Sequence, residues 1–519
     1  MLLLIHPPVM KPCEPPAGIA KISGVLNHFG VKVKLLDANI EGMLHLLKSS
    51  VAPKDAWTNR ASRNFSTNLA SVKSFPAYQN LDRYKRAVND LNHLVGVMAH
   101  PKGARLSLTN YQDQKLSPLK SNDLIKAAEQ PDKNIFFPYF KTRLLEIVAH
   151  DHPSVVGFSL NYLSQALCTF AMVGLLRREF SGLKLILGGG LVTSWLKKPG
   201  WKDPFKGLID DLIPGPGEYP LLSLMGITGN KNSYCLPDYA SLPLKKYLSP
   251  GMILPYSASS GCYWNKCSFC PEKAEGNPYV PVPVDKVLTD IHTLAIQTKP
   301  VLIHFLDNAL SPALLNTLSS HPLPVPWYGF TRITPHLADL DFCRALKKSG
   351  CVMLKLGLES GDQKVLDSLH KGINLQEASQ VLKTLKSAGI ATYVYLIFGT
   401  VAENLSSAKK TRNFVVKHCE YIDFLNLAIF NLPVYGPEVE KVETKFYEGD
   451  LSLYTDFFHP QNWNRIQVRE FLDKEFTRHP AIASIVRKEP PLFTSNHAPF
   501  FVIKDQCPAT SVFSLPYKG

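Results

Sequence analysis

The chain has 519 residues, too many for one ordinary hydrophobic core, so two or three domains are expected. Its 45% hydrophobic and 19% charged residues are ordinary globular values, and no apolar run approaches the roughly 20 residues of a membrane-spanning helix, so a soluble, cytoplasmic protein is expected. The net charge of +14 raises the question of an anionic partner such as RNA, but lysines and arginines are scattered as on solvated helix faces, which weighs against nucleic acid.

In chain order, residues 2–42 read as strand, helix and strand. The start, Met1-Leu2-Leu3-Leu4-Ile5-His6, lacks a basic n-region and reads as a buried strand, not a signal peptide. Ile19, Ile22, Val25, Leu26 and Phe29 share one helical face, Gly30 ends that helix, and Val31, Val33 and Leu35 alternate before Asp37. This pattern opens a doubly wound α/β sheet. Between the first strand and the helix lies a proline-rich loop that includes Pro8 and Glu14.

Residues 50–145 are more polar and interrupted by Pro, Asn, Asp and Ser, and they read as an insertion with helices near 81–97 and 139–149. The sheet resumes at 154–160, which contains Ser159, and continues through a helix at 165–180 and a strand at 183–187. That strand runs into Gly188-Gly189-Gly190 and Thr193, and a later short strand into Pro214-Gly215-Pro216-Gly217-Glu218. Glycines at strand ends let backbone approach a ligand closely, although tight turns would use them as well.

A linker at 231–251 leads to an apolar strand at 252–256 and then to three cysteines within nine residues, Cys262, Cys267 and Cys270, spaced C-x4-C-x2-C. Three thiolates this close imply a metal. Structural zinc wants four ligands, and no fourth cysteine or histidine follows within about twenty residues, the first later histidine being His292. A [4Fe-4S] cluster held by three thiolates keeps one iron open for a ligand, while a zinc knuckle or a redox thiol group remains the plainer alternative. The other seven cysteines, from Cys13 to Cys507, have no regular spacing, as expected of reduced thiols.

With Phe269 just before the last cysteine, this motif resembles that of the radical S-adenosylmethionine (SAM) enzymes, whose usual spacing has one residue fewer in the first gap. The resemblance implies that the open iron chelates SAM and that one-electron reduction, by a partner such as flavodoxin or ferredoxin, yields a 5′-deoxyadenosyl radical. It also implies a partial (β/α)6 barrel over residues 252–435, which agrees with strands near 301–306, 327–332, 352–358, 393–398 and 422–429 and the helices between them. In barrels of this kind chemistry gathers at the carboxyl ends of the strands, where Asp307, Arg332, Gly357-Leu358-Glu359-Ser360 and Ile397-Phe398-Gly399 fall. The resemblance implies SAM contacts from Phe269, Asp307, Arg332, Glu359, Ser360, Ile397 and Gly399.

The order of the first domain, residues 1–230, resembles the cobalamin (B12)-binding domains that precede the barrel in one large subfamily. It implies cobalamin contacts from Pro8, Glu14, Ser159, Gly188, Gly189, Thr193, Gly215, Gly217 and Glu218, and cobalamin-dependent methylation of an unreactive carbon of a small-molecule substrate. The subfamily's histidine loop, Asp-x-His-x-x-Gly, is absent: Asp37-Ala38-Asn39-Ile40-Glu41-Gly42 is a coincidental look-alike, and His6 reads as an ordinary packed residue. Two alternatives stand beside this reading, a cobalamin-independent radical SAM enzyme acting on RNA or a small molecule, and a non-catalytic metal-binding or electron-transfer protein. Residues 436–519 form a C-terminal extension of unknown role, in which His497 is either an acid or base at the barrel mouth or a buried hydrogen-bonding residue.

Overall fold

A computed structural model describes residues 1–49, 55–227, 235–445 and 449–506, with only the backbone for 503–506. The expected boundary at 230/231, part of the linker, Cys507 and the end of the C-terminal extension lie outside the described residues.

The first sheet has five parallel strands in the order Val33–Asp37, Leu2–His6, Val155–Ser159, Lys184–Gly188 and Asp211–Ile213. Strand order reverses between Leu2–His6 and Val155–Ser159, which leaves a crevice at their carboxyl ends, the position where open α/β sheets bind ligands. Leu2, Leu4, Ile19, Val25 and Leu26 bury one face of this unit as the periodicity predicts. Asp37, in the motif look-alike, is the N-cap of the helix Ala38–Lys48: it accepts from the backbone N–H groups of Asn39 (3.1 Å) and Ile40 (3.0 Å) and from the Tyr247 hydroxyl (2.7 Å).

Residues between the second and third strands of this sheet, in chain order, are mostly helical. Leu81–Ala99, capped by Asn80, packs against Ala56–Arg63 and Phe65–Val72, and a hairpin of Ala104–Leu106 and Tyr111–Asp113 follows. Helices Ser121–Glu129 and Phe137–Asp151 return the chain to the sheet.

The second sheet has six parallel strands in sequence order, Ile253–Tyr256, Leu302–Phe305, Trp327–Thr331, Cys351–Glu359, Ala391–Phe398 and Phe424–Ile429, alternating with helices as a partial barrel does. Alternation sorts its side chains. Leu254, Ile303, Phe305, Leu354 and Val394 pack outward into the same core as the first domain, whereas Ile253, Leu302, Tyr328, Met353, Tyr393 and Phe424 form an inner floor at the amino ends of the strands.

Ala498 and Val502 of the C-terminal extension fill that floor. His497 lies with them, buried and stacked on Tyr393 at 4.9 Å, with Nδ1 3.1 Å from the Phe493 carbonyl. Of the two roles expected for His497, this is the buried one: the barrel mouth is at the opposite ends of the strands.

Candidate active site

The cysteine loop is fixed at both ends. After strand Ile253–Tyr256, the Ala258 N–H (3.0 Å) and the Ser259 hydroxyl (2.5 Å) donate to the buried Asp307 carboxylate, so Asp307 fastens the entry to the loop. Gly261 has φ 70°, and a Cβ there would come within 2.3 Å of the Pro278 carbonyl, so glycine is required before the first thiol. Within the longer first gap, Asn265 lies in the left-handed region, φ 44°. Trp264 donates to the His370 carbonyl (3.1 Å), the Arg332 guanidinium lies 4.0 Å from its ring centroid, and the Ser268 N–H donates to the Leu369 carbonyl (3.0 Å). The loop thus lies along residues 369–372, which follow the fourth barrel strand.

Among the described residues, no three His, Cys, Asp or Glu side chains are gathered closely enough to hold one metal ion as they stand. The thiolates of a cubane bind separate irons and stand farther apart, and the three cysteines instead share one open cavity of about 390 Å3. Burial pushes the Cys267 thiol up, against the opposing pull of Lys371 and Arg332, and raises Cys270 to about 11. Metal binding removes such protons, and the two cations favour the thiolate.

Cys262, Cys267, Cys270, Phe269, Asp307, Arg332 and Glu359 all line this cavity. Glu359 has φ 68°, sits at a shift in strand register, and is paired with Lys371 at 2.7 Å, a buried ion pair that holds its carboxylate at the cavity wall. Ser360, Ile397 and Gly399 lie outside the lining. Ser360 turns away to the Thr411 hydroxyl (3.2 Å) and the Asp362 N–H (3.2 Å), and the Gly399 N–H donates to Glu403 (2.5 Å). Lys371 and Tyr395 also line the cavity, Tyr395 from the fifth strand and Lys371 from the loop that follows the short helix Gln363–Ser368.

At the crevice of the first sheet lies a second cavity, of about 470 Å3, lined by Ser159, Gly188, Gly189, Thr193, Gly215, Gly217 and Glu218. Its floor is apolar, with Leu4, Ile19, Ile22, Phe158, Ile186 and Ile213. Gly18 and Gly190 are in its lining, and a Cβ at either would meet only ordinary contacts, with Ser159 at 3.9 Å and Asn161 at 3.8 Å. Thr193 ties the strand ends together, donating to the Gly189 carbonyl (2.9 Å) and accepting from the Gly215 N–H (2.9 Å). Glu218 is buried against Lys21 at 3.0 Å. Glu272, Glu275 and Asn277, just past Cys270, close the far wall.

A third cavity, about 500 Å3, lies in the seam between the domains. Glu14 lines it, as do His6, Lys11 and Tyr162, while Pro8 lines neither of these two cavities. The three spaces adjoin: Gly18, Ser159 and Asn161 line both the sheet-edge and seam cavities, and His304, Leu306, Lys355 and Tyr395 line both the seam and cysteine cavities.

At that second junction, Glu14 from the proline-rich loop reaches the barrel wall. Its carboxylate is 2.9 Å from His304 Nδ1, and His304 Nε2 is 2.9 Å from Lys355 Nζ. Burial alone would raise Glu14, but the nearby His304 and Lys355 hold it below the usual carboxylate range; burial lowers His304 and brings Lys355 down to about 8. These directions assign an ionised Glu14 accepting from Nδ1–H of a neutral His304, whose Nε2 accepts from Lys355. His304 and Lys355 were missed in the sequence, although each is a polar residue at an inward position of an otherwise apolar strand, a signal that alternation alone provides.

Residues 256–415 match the model of the Radical SAM superfamily. The chain is 25% identical over 201 residues to an uncharacterized methyltransferase of Pyrococcus horikoshii, covering 36% of this chain and 42% of that protein. It is 27% identical over 244 residues to the bacteriochlorophyllide d C-12(1)-methyltransferase of Chlorobaculum tepidum, covering 43% and 51%. The chain thus spans about half the length of the curated relatives it matches. Its fold is similar to those of the cobalamin-dependent radical SAM enzyme OxsB (TM-score 0.56, 12% identity, 92% of this chain and 67% of that one) and of the radical SAM methyltransferase TsrM from Kitasatospora setae (TM-score 0.51, 15% identity, 96% and 91%). Residues 256–415 are therefore a radical SAM domain, preceded by a Rossmann-like domain in a fold similar to that of those two enzymes.

Proposed function

We propose that the protein is a cobalamin-dependent radical SAM methyltransferase acting on an unreactive carbon of a small molecule. The observation that carries this reading is the contiguity of the three cavities, which puts the sheet edge, the seam and the three cysteines on one continuous path. Cys262, Cys267 and Cys270 would hold a [4Fe-4S] cluster, and Glu359, Arg332 and Phe269 would border SAM. The glycine-cradled, apolar sheet-edge cavity fits the flat base of a nucleotide tail, and the seam would take the corrin. Bound there, these cofactors supply one-electron chemistry and a transferable methyl group, with electrons from an external reductant such as flavodoxin or ferredoxin.

The residues themselves act by positioning and exclusion. Glu359 and Lys371 neutralise each other and keep a carboxylate at the wall; Arg332 stacks on Trp264 and donates to the Lys371 carbonyl, which braces the cysteine loop. Tyr395 and Leu306 wall the junction where a substrate would meet both cofactors.

The test is anaerobic reconstitution with iron, sulfide and hydroxocobalamin. The expected result is absorbance at roughly 400 nm from thiolate-to-iron charge transfer, lost on alanine substitution of any of the three cysteines, together with retained cobalamin whose cobalt(II) spectrum lacks nitrogen hyperfine splitting. Stoichiometric zinc without iron would sink the cluster assignment, and absence of retained cobalamin would favour the cobalamin-independent alternative. Nitrogen splitting that disappears in His6→Ala would place His6, whose Nδ1 is buried without a partner, on the metal and overturn the ligation part of the reading.

A further inference from the structure

The Glu14, His304 and Lys355 chain spans the boundary of the two domains and ends at the wall shared by the seam and cysteine cavities. All three side chains are inside the protein, with Lys355 7% and His304 8% exposed. An ammonium has three donors. One of those on Lys355 goes to His304 Nε2, a neutral acceptor, and Glu14 is engaged with Nδ1 of the same ring. No carboxylate is therefore in hydrogen-bond contact with Lys355 among the described residues, although a buried charge is ordinarily compensated by one.

The rest of the lining does not supply that charge. The seam is walled by two ammonium groups, Lys11 and Lys355, and one carboxylate, Glu14. Lys11 bonds to the Thr494 hydroxyl. In the cysteine cavity Asp307 is taken up by Ala258 and Ser259, Glu359 by Lys371, and Glu272 by the Asn277 amide (3.0 Å), while Arg332 adds a further cation. The lining of the seam thus carries one positive charge beyond its own carboxylate, and Lys355 presents it at the place open to both cavities.

We propose that Lys355, held in orientation by Glu14 through His304, anchors a carboxylate of the substrate at the junction of the seam and cysteine cavities. Besides its bond to His304 the ammonium lies over the Tyr328 ring, 4.9 Å from the centroid, and has donor capacity left for a carboxylate oxygen, whose single negative charge balances the excess. This rests on the reading that a small molecule reacts at that junction, and it adds to it the chemical class of the substrate, an organic monoanion bearing a carboxylate.

The test is equilibrium dialysis of radiolabelled benzoate and of benzamide, its uncharged counterpart, against the reconstituted protein. A charge-assisted pair formed in a buried site corresponds to a preference of about tenfold or more for benzoate. Lys355→Met should bring benzoate down to the level of benzamide, and Lys355→Arg should restore part of the difference. Equal retention of the two probes by the unaltered protein overturns the proposal without any variant, as does a benzoate preference that survives in Lys355→Met. Absorbance at roughly 400 nm and retained cobalamin are read on the same sample. Their loss ends the methyltransferase reading and leaves the benzoate comparison standing as its own result.

Discussion

The indole of Trp264 lies directly against Gly372, so closely that a Cβ on Gly372 would come within 2.3 Å of the ring. Gly372 also has φ 65°, so a side chain there meets both a clash and backbone strain. Gly372→Ala is expected to lift Trp264 from its seat and to cut the iron bound per chain severalfold. Iron and sulfide analysis after reconstitution checks this, and unchanged iron content would mean that the loop is held by other contacts.

Gly190→Phe probes the sheet-edge cavity. A Cβ at Gly190 meets nothing nearer than 3.8 Å, so a large side chain enters the cavity without straining the backbone. Cobalamin retention should fall at least tenfold while cluster iron stays constant. Gly189 is a poorer site for the experiment, because its φ of 106° and a Cβ contact of 2.4 Å with the Leu160 carbonyl would disturb the fold itself.

Glu359→Gln removes one charge from the buried pair with Lys371. Leaving Lys371 buried and uncompensated costs about 3–5 kcal/mol, a loss of several degrees in melting temperature. The cluster should remain, and reductive cleavage of SAM should slow. Cleavage at the unaltered rate would take Glu359 out of the site.

Glu403 gives a stability that depends on pH. It is fully buried, accepts from the Gly399 N–H and from Trp463 (2.9 Å), and has Oε1 without a partner. Burial pushes its carboxyl up to about 7, from an ordinary value of 4.5. A raised acid favours the fold fully below the unfolded value, and that contribution disappears as pH rises through about 7. The difference is on the order of 3 kcal/mol. Melting temperature should therefore fall between about pH 4.5 and 7.5, and Glu403→Gln should flatten that slope; an equal slope in the variant would show that other groups set it.

The two sheets were legible in the sequence because their strands carry strong local patterns. The alternation of Val31, Val33 and Leu35, and the apolar runs around Met353 and Val394, report burial directly. The cysteines were equally plain, since their spacing is a local property. Residues that meet through folding were not. Lys371 reaches Glu359 from the loop after the next short helix, and Glu14 reaches His304 across 290 positions. Ser360 and Gly399 illustrate the converse: each stands beside a residue of the site, yet one hydroxyl turns to Thr411 and the other residue's N–H donates to Glu403. Proximity in sequence to a strand end does not fix which way a side chain faces.

The floor of the barrel is built from the last part of the described chain. Ala498 and Val502 fill the space beneath Tyr328, Met353 and Tyr393, and Asn496 donates to the Tyr84 hydroxyl (3.1 Å) in the insertion and to the Leu248 carbonyl (2.7 Å). During synthesis on the ribosome, all six barrel strands emerge before the segment that closes them from below. A nascent chain ending near residue 490 would hold its strands around an unfilled apolar hollow and bind a hydrophobic dye such as ANS, whereas one extended through residue 506 would not. Completion of the barrel is in this sense a late event, one that stitches the insertion, the linker and the strand floor together in a single step.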